Sequence, residues 1–279
     1  MSDLIRRLTP RILRNWVRQP RRSVRYVLDR LTYACSGADT VQLRPDWSVR
    51  CHPASREHFI VFSRDPAQRA ELDLFIRHCT AGMQFLDIGA HYGLFALAAH
   101  RFGGADVRTV CIEASPKAAQ ILQANLDANE ARNISLLNVA MGASDGTLEM
   151  LSTGPAGSDY FVSVPAGRSD TVSVRQLSLT TVLRESSLRP THVKMDIEGF
   201  EDDVIAGGLA LLQEHRPILF LELHGNYLRA RQRDPALVIR HLRECGYECI
   251  EEEGVELTDE LIAKRDFECR LVCSPKRAE

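Results

Sequence analysis

The sequence has no run of about 18 consecutive apolar residues, the length that crosses a bilayer, and its first segment lacks the apolar core of a secretory signal. A cytoplasmic protein is therefore expected. Internal repeats and low-complexity tracts are also missing, so nothing indicates a repeat array. The Gly-x-Gly-x-x-Gly fingerprint is absent, which counts against a dehydrogenase built around a dinucleotide. The eight cysteines (Cys35, Cys51, Cys79, Cys111, Cys245, Cys249, Cys269 and Cys273) are dispersed through 279 residues. A chain of that length folds without staples, so reduced thiols are favoured over a disulfide framework. Cys245 and Cys249, like Cys269 and Cys273, stand four residues apart. That is about 13 Å along a strand, too far for one zinc ion to take both. They read as small apolar fillers, as does Cys111.

Net charge is scarce as well, at −2 overall, but it is unevenly placed. Residues 1–31 hold nine arginines against Asp3 and Asp29, which leaves an excess of nine negative charges on the rest of the chain. An acidic body suits duplex nucleic acid poorly, because the phosphate field is met by a basic face. A hydrophobic content of 44% allows one substantial core. The expected organisation is a basic helical extension over 1–40 and a main domain over 41–279. Within the extension, Thr9 and Pro10 open a helix that runs to Arg18, and a second helix spans about Arg22 to Tyr33. Such arginine-rich amphipathic helices can lie on an anionic membrane, at the inner face of a cell. Most amphipathic helices bury their apolar stripe, so packing on the acidic body or on a second copy of the chain is favoured.

What is abundant is alternation. Short strands are expected at Val41–Leu43 and Phe59–Phe62, followed by a helix opened by Asp65-Pro66 and ending near Cys79. Then come strand 84–88, helix 92–101, strand 107–113, helix 115–128 and strand 134–139, the rhythm of a parallel sheet with crossover helices. Residues 146–174 break that rhythm with alternating segments at 147–151, 160–164 and 171–174, and read as an inserted hairpin or lid. The pattern resumes with strand 192–197, helix 199–212, strand 218–221 and a helix over 235–245. Strands 247–250 and 267–273 close the sheet as a hairpin.

One stretch stands out: Phe85-Leu86-Asp87-Ile88-Gly89-Ala90-His91-Tyr92-Gly93 is an apolar strand that breaks into two glycines before a helix. Such a turn lets backbone approach a nucleotide-like ligand. Ligands of an open parallel sheet collect beyond the carboxyl ends of its strands, and here those ends are polar: Asp87, Glu113, Asn138, Asp196, and Glu222 with His224 beyond it. Glu113 can accept hydrogen bonds from both hydroxyls of a ribose. Its structural alternative is to stabilise the following helix N-terminus. For Asp87 the alternative is to hold the glycine loop without touching a ligand, and for His91 it is local capping.

Three segments carry a resemblance. Asp87 to Gly93, Glu113-Ala114-Ser115-Pro116 with Asn125, and above all Val193-Lys194-Met195-Asp196-Ile197-Glu198-Gly199-Phe200-Glu201 resemble the FkbM family of S-adenosylmethionine-dependent methyltransferases. Leu221-Glu222-Leu223-His224 is similar to the family pattern too. The resemblance spans about residues 40–250. It implies a class I methyltransferase fold, a Rossmann-like and mostly parallel α/β sheet, and O-methylation of a hydroxyl on a sugar, glycan or secondary metabolite. By matching motif, Asp87, Gly89, Ala90, His91 and Gly93 would surround the methionine part of S-adenosylmethionine, with Asp196 nearby. Glu113 and Ala114 would hold the ribose, and Asn138 or Ala140 would lie near the adenine. Members commonly carry Thr-Leu-Asp before the fourth strand, whereas this chain has Ser178-Leu179-Thr180, which leaves that position without an acid.

A hydroxyl is too weak an acid to attack a sulfonium unaided at neutral pH, so methyl transfer needs an aligned base or an acidifying metal. In an extended strand Lys194, Asp196 and Glu198 share a face. Glu222 and His224 share one on the neighbouring strand, about 4.8 Å away. His224 is the expected base, with Asp196 and Glu222 orienting substrate or, with His224, binding magnesium or manganese. Lys194 belongs to the same set, with a structural ion pair to Glu198 as the alternative. The expected partner is a small-molecule or glycan acceptor and not nucleic acid. A rival of another kind is a catalytically silent protein of the same fold, docked through its arginine-rich N-terminus.

Overall fold

A computed structural model describes residues 37–151, 171–251, 257–258, 262 and 268–276. The expected N-terminal helices, Cys35 and the segment 160–164 lie outside the described residues. In chain order the strands and helices are β1 (Asp39–Arg44), β2 (Trp47–Cys51), α1 (Arg56–Arg64), α2 (Pro66–His78), β3 (Gln84–Ile88) and α3 (Leu94–Gly103). They continue with β4 (Arg108–Ile112), α4 (Pro116–Ala128), β5 (Ile134–Leu137), β6 (Ala140–Gly142), β7 (Gly146–Leu151) and β8 (Thr171–Ser178). After these come α5 (Leu179–Ser186), β9 (His192–Met195), α6 (Glu201–His215), β10 (Ile218–His224), α7 (Gly225–Ala230), α8 (Pro235–Glu244), β11 (Tyr247–Glu251) and β12 (Glu268–Pro275).

Seven strands form the central sheet in the order β11-β12-β10-β9-β3-β4-β5. From β10 to β5 all neighbours run parallel, while β12 is antiparallel to both β10 and β11. This is the expected class I methyltransferase sheet with its C-terminal antiparallel hairpin. Parallel strands must be covered on both faces, and the side chains alternate accordingly. Leu86, Ile88, Val110, Ile112, Val193 and Met195 face one core, completed by Val204 and Ile205 of α6 and by Val238 and Ile239 of α8. Phe85, Cys111 and Phe220 face the other, with Phe59, Phe62, Leu72, Phe75 and Leu122 from α1, α2 and α4. Phe75 packs its ring 4.9–5.2 Å from those of Phe85, Phe95 and Phe220.

The helices begin where the sequence says they should. Asp65, Ser115 and Asp234 each cap a helix by accepting backbone N–H bonds, with proline at the first helical position. Asp145 reinforces the start of α5: its carboxylate accepts the Ser178 N–H and the Thr181 hydroxyl at 2.8 Å each. An acid from another turn thus serves this junction, where Thr180 itself brings none.

One element is corrected. Residues 59–62 are helical, within α1, and the partner of β1 is β2 instead. The run His58-Phe59-Ile60-Val61-Phe62 is apolar at nearly every position, so its period is ambiguous. Burial of Phe59 and Phe62, three apart on one helix face, decides for helix. The 146–174 segment does begin and end as a hairpin: β7 pairs antiparallel with β8, and β6 joins β8 in a separate three-stranded sheet. Residues 152–170, its middle, lie outside the described residues. Among the described residues no helix is long and apolar enough to cross a membrane.

Candidate functional site

Strand order reverses between β3, which continues outward to β4, and its other neighbour β9. At such a switch point the loops leaving the strand ends diverge and a crevice opens. A cavity of about 600 Å³ lies there, lined from β3, β4, the β5–β6 segment, β7, β9, β10 and β12 and roofed by α1 and α2.

The glycine turn is pinned at the β3 end. Gly89 and Ala90 both donate backbone N–H bonds to the Ile112 carbonyl, at 2.9 and 3.0 Å. Gly89 has φ +81°, and a Cβ there would stand 1.9 Å from the Asp196 carbonyl oxygen. The glycine turn is thus packed directly against the end of β9, a closeness only glycine permits. Gly93, also at positive φ, lets α3 start against Leu122 of α4.

The Glu113 carboxylate is held by two backbone donors, His91 N–H and Ser115 N–H, at 2.8 Å each. It lines the cavity with its orientation fixed, and it also serves the helix start. Asp87 is buried. It accepts a bond from Ala96 in the first turn of α3, and burial together with nearby Asp196 and Glu113 outweighs Lys194 and raises its pKa to about 7.

The wall contains Gly89, His91, Glu113, Ala114, Ala140 and Asp196 from the expected cofactor set. Asp87, Ala90, Gly93 and Asn138 of that set stand off it. Asn138 instead ties strand ends together, donating to the Glu113 and Ala114 carbonyls at 2.7 and 3.2 Å. The apolar side of this half of the cavity, Ile112, Val139, Met141, Leu148 and Met150, was not singled out from sequence. Leu148 and Met150 alternate along β7, and that alternation was the available signal.

The other half of the cavity is charged. Lys194 reaches Glu71 of α2 at 3.5 Å and Asp196 at 3.3 Å, and its ammonium lies 4.5 Å from the Phe95 ring centroid. Arg270 of β12 reaches Glu71 at 3.2 Å and Glu222 at 3.1 Å. Burial alone would lower the Lys194 pKa, but Asp196, Glu71, Glu222 and Asp87 outweigh it and raise it well above the ordinary value. Lys194 therefore stays charged and anchors the carboxylates; its partners are Glu71 and Asp196 rather than Glu198. Asp196 is held below the ordinary carboxylate value, since Lys194 and His224 outweigh burial. Burial, together with Asp196, pushes Glu222 up to about 7.

His224 corrects two expectations. It is not on the cavity wall, but stands behind Asp196 and Glu198, with its Nδ1 2.7 Å from Glu201 Oε1. Its Nε2 faces Asp196 Oδ1 at 3.6 Å and Glu198 Oε2 at 3.9 Å. Burial acts to lower its pKa, but the bond and charge of Glu201, with Asp196 and Glu198, raise it to about 9. A histidine so placed cannot contact the acceptor as a free base. The cluster of potential metal ligands also differs from the expected one: Glu198 joins Asp196 and His224, with ligand atoms all within 4.8 Å of one another. Glu222 pairs with Arg270. β9 stops at Met195, and the turn through Glu198 at φ +53° redirects that side chain.

A family model described as the methyltransferase FkbM domain matches residues 87–249. Among solved structures, the chain is similar to methyltransferase FkbM from Methylobacillus flagellatus KT. The identity is 19%, the TM-score 0.48, and the match covers 79% of this chain and 53% of that one, so the present chain spans about half that protein's length. It is similar to an O-methyltransferase from Bacillus cereus in complex with SAH, at 13% identity and TM-score 0.45, covering 91% and 99% of the two chains. Precorrin-6y C5,15-methyltransferase from Geobacter metallireducens GS-15 is similar at 14% identity and TM-score 0.43, covering 77% and 90%. Among curated proteins, none matches.

Proposed function

Because the chain belongs to the FkbM family of S-adenosylmethionine-dependent methyltransferases, we propose that it methylates a hydroxyl oxygen of a sugar, glycan or similar small acceptor. The observation that carries this reading is the contact of Gly89 with the end of β9. Gly89, Glu113 and Ala140 line the same cavity as Asp196 and Glu222, which supports a donor held along the first three and facing the last two. The carboxylates Glu71, Asp196, Glu198 and Glu222 on its wall accept hydrogen bonds from hydroxyls and repel an anionic acceptor. Phe62 and Phe200, also on the wall, add apolar surface for the carbon side of a sugar ring.

In the reaction the acceptor oxygen attacks the methyl carbon in line. The new C–O bond forms as the C–S bond breaks, and the electron pair returns to sulfur to give S-adenosylhomocysteine. Positioning supplies most of the acceleration. Asp196 orients the hydroxyl and Glu222, on the wall beside it, receives the proton. The test is mass spectrometry of candidate neutral sugars and uncharged glycolipids incubated with the protein and isotopically labelled donor. A gain of one labelled methyl group on an oxygen is expected, and transfer only to nitrogen or carbon would contradict the reading. Replacing Glu222 by Gln should lower kcat at least about 100-fold, the size of a general-base contribution, with donor affinity unchanged by calorimetry.

A further inference from the structure

We propose that Asp196, Glu198 and His224 bind one divalent cation on the cavity wall; the proposal rests on the methyltransferase reading above, because the ion would serve the acceptor hydroxyl. The three ligand atoms lie within 4.8 Å of one another. Histidine Nε2 stands 3.6 Å from Asp196 Oδ1 and 3.9 Å from Glu198 Oε2. Both gaps exceed a good hydrogen bond. Two atoms that each bind one ion at about 2.1 Å are at most about 4.2 Å apart, so both gaps fit a shared ion.

The second observation is how His224 is held. Its ring is 3% exposed, and its Nδ1 is 2.7 Å from Oε1 of Glu201, which is itself fully buried and also accepts the Gly199 N–H at 3.1 Å. A carboxylate that fixes one imidazole nitrogen leaves the other presented as a ligand, the usual support behind a metal-binding histidine. Here that second nitrogen is aimed between two carboxylates. Asp196 and Glu198 also line the cavity, so the remaining coordination positions of the ion open toward the acceptor. Two oxygens and one nitrogen suit manganese, and magnesium less well because of the nitrogen. An acceptor hydroxyl on the ion gives up its proton more readily; the proton passes to the Glu222 carboxylate and the oxygen takes the methyl group as above.

The test is titration of the full chain with Mn²⁺, following free ion by electron paramagnetic resonance, beside a calorimetric titration with S-adenosylhomocysteine. One ion per chain is expected. Glu198→Gln should weaken it by about tenfold or more while leaving S-adenosylhomocysteine binding intact, which also certifies the variant's fold. Pulsed resonance of the bound ion should show a directly coordinated imidazole nitrogen in the unsubstituted protein, whatever the variant does. Absence of Mn²⁺ uptake, uptake that Glu198→Gln leaves unchanged, or a bound ion without nitrogen coordination would each overturn the site. If Mn²⁺ is taken up and S-adenosylhomocysteine is not, the donor reading fails and the ion site stands.

Discussion

Two residues carry the site's geometry. Gly89 combines φ +81° with a backbone oxygen 1.9 Å from where a Cβ would be, so Gly89→Ala must both strain the turn and push β9 away. Thermal or urea denaturation should show a loss of about 1–3 kcal/mol from the backbone strain alone. Donor binding should fall with it. Lys194 is the second. It is buried between Glu71 and Asp196, and removing one partner of a buried ion pair leaves the others uncompensated. Lys194→Met should cost about 3–5 kcal/mol in urea denaturation, and stability equal to the unsubstituted protein would show that the charges are solvated. The residue scale also explains what sequence could not supply. Glu71 and Arg270 stand on α2 and β12, 199 positions apart, and only the fold brings them within 3.2 Å of each other.

At the scale of elements, the N-terminal hairpin, α4 and the glycine turn are tied through one side chain. Asn125 on α4 accepts the His52 N–H at 2.7 Å and donates to the Tyr92 carbonyl at 2.9 Å and to Ser55 Oγ at 3.2 Å. Asn125→Ala would remove these hydrogen bonds to the backbone of two elements, a loss of about 1–3 kcal/mol in denaturation. Loosening Tyr92 should also weaken S-adenosylhomocysteine binding, measured by calorimetry, whereas a change in stability alone would mean that the turn holds itself. Element order was largely legible in the sequence, because parallel strands buried on both faces are short apolar runs and their polar ends mark the crevice. Phe59–Phe62 was not, since a continuous apolar run fits either period. Nor was the turn at Glu198: extending strand geometry past Met195 put Glu222 in the ligand cluster, where a residue at positive φ puts Glu198.

On the scale of the whole molecule, the sheet divides its duties between its two ends. His192 opens β9 at the end away from the cavity, buried, with Nδ1 2.9 Å from Thr191 Oγ1. Burial, with nearby His78, lowers its pKa to about 4. An unfolded histidine takes a proton near pH 6.5, so between about pH 6.5 and 4 the unfolded state binds more protons and this residue's contribution to stability falls with pH. The difference in Tm between the protein and His192→Asn should therefore narrow as pH drops through that window; a constant difference would contradict it. At the opposite end of the same strand lie the glycine turn and Glu113, where the proposed function puts the donor, and this is the claim on which the rest depends. Its most direct measurement is a calorimetric titration of the full chain with S-adenosylhomocysteine. One ligand per chain is expected, with affinity reduced about tenfold or more by Glu113→Ala, a loss of a charge-assisted hydrogen bond pair. No heat at high protein concentration, or binding that Glu113→Ala leaves untouched, would contradict it.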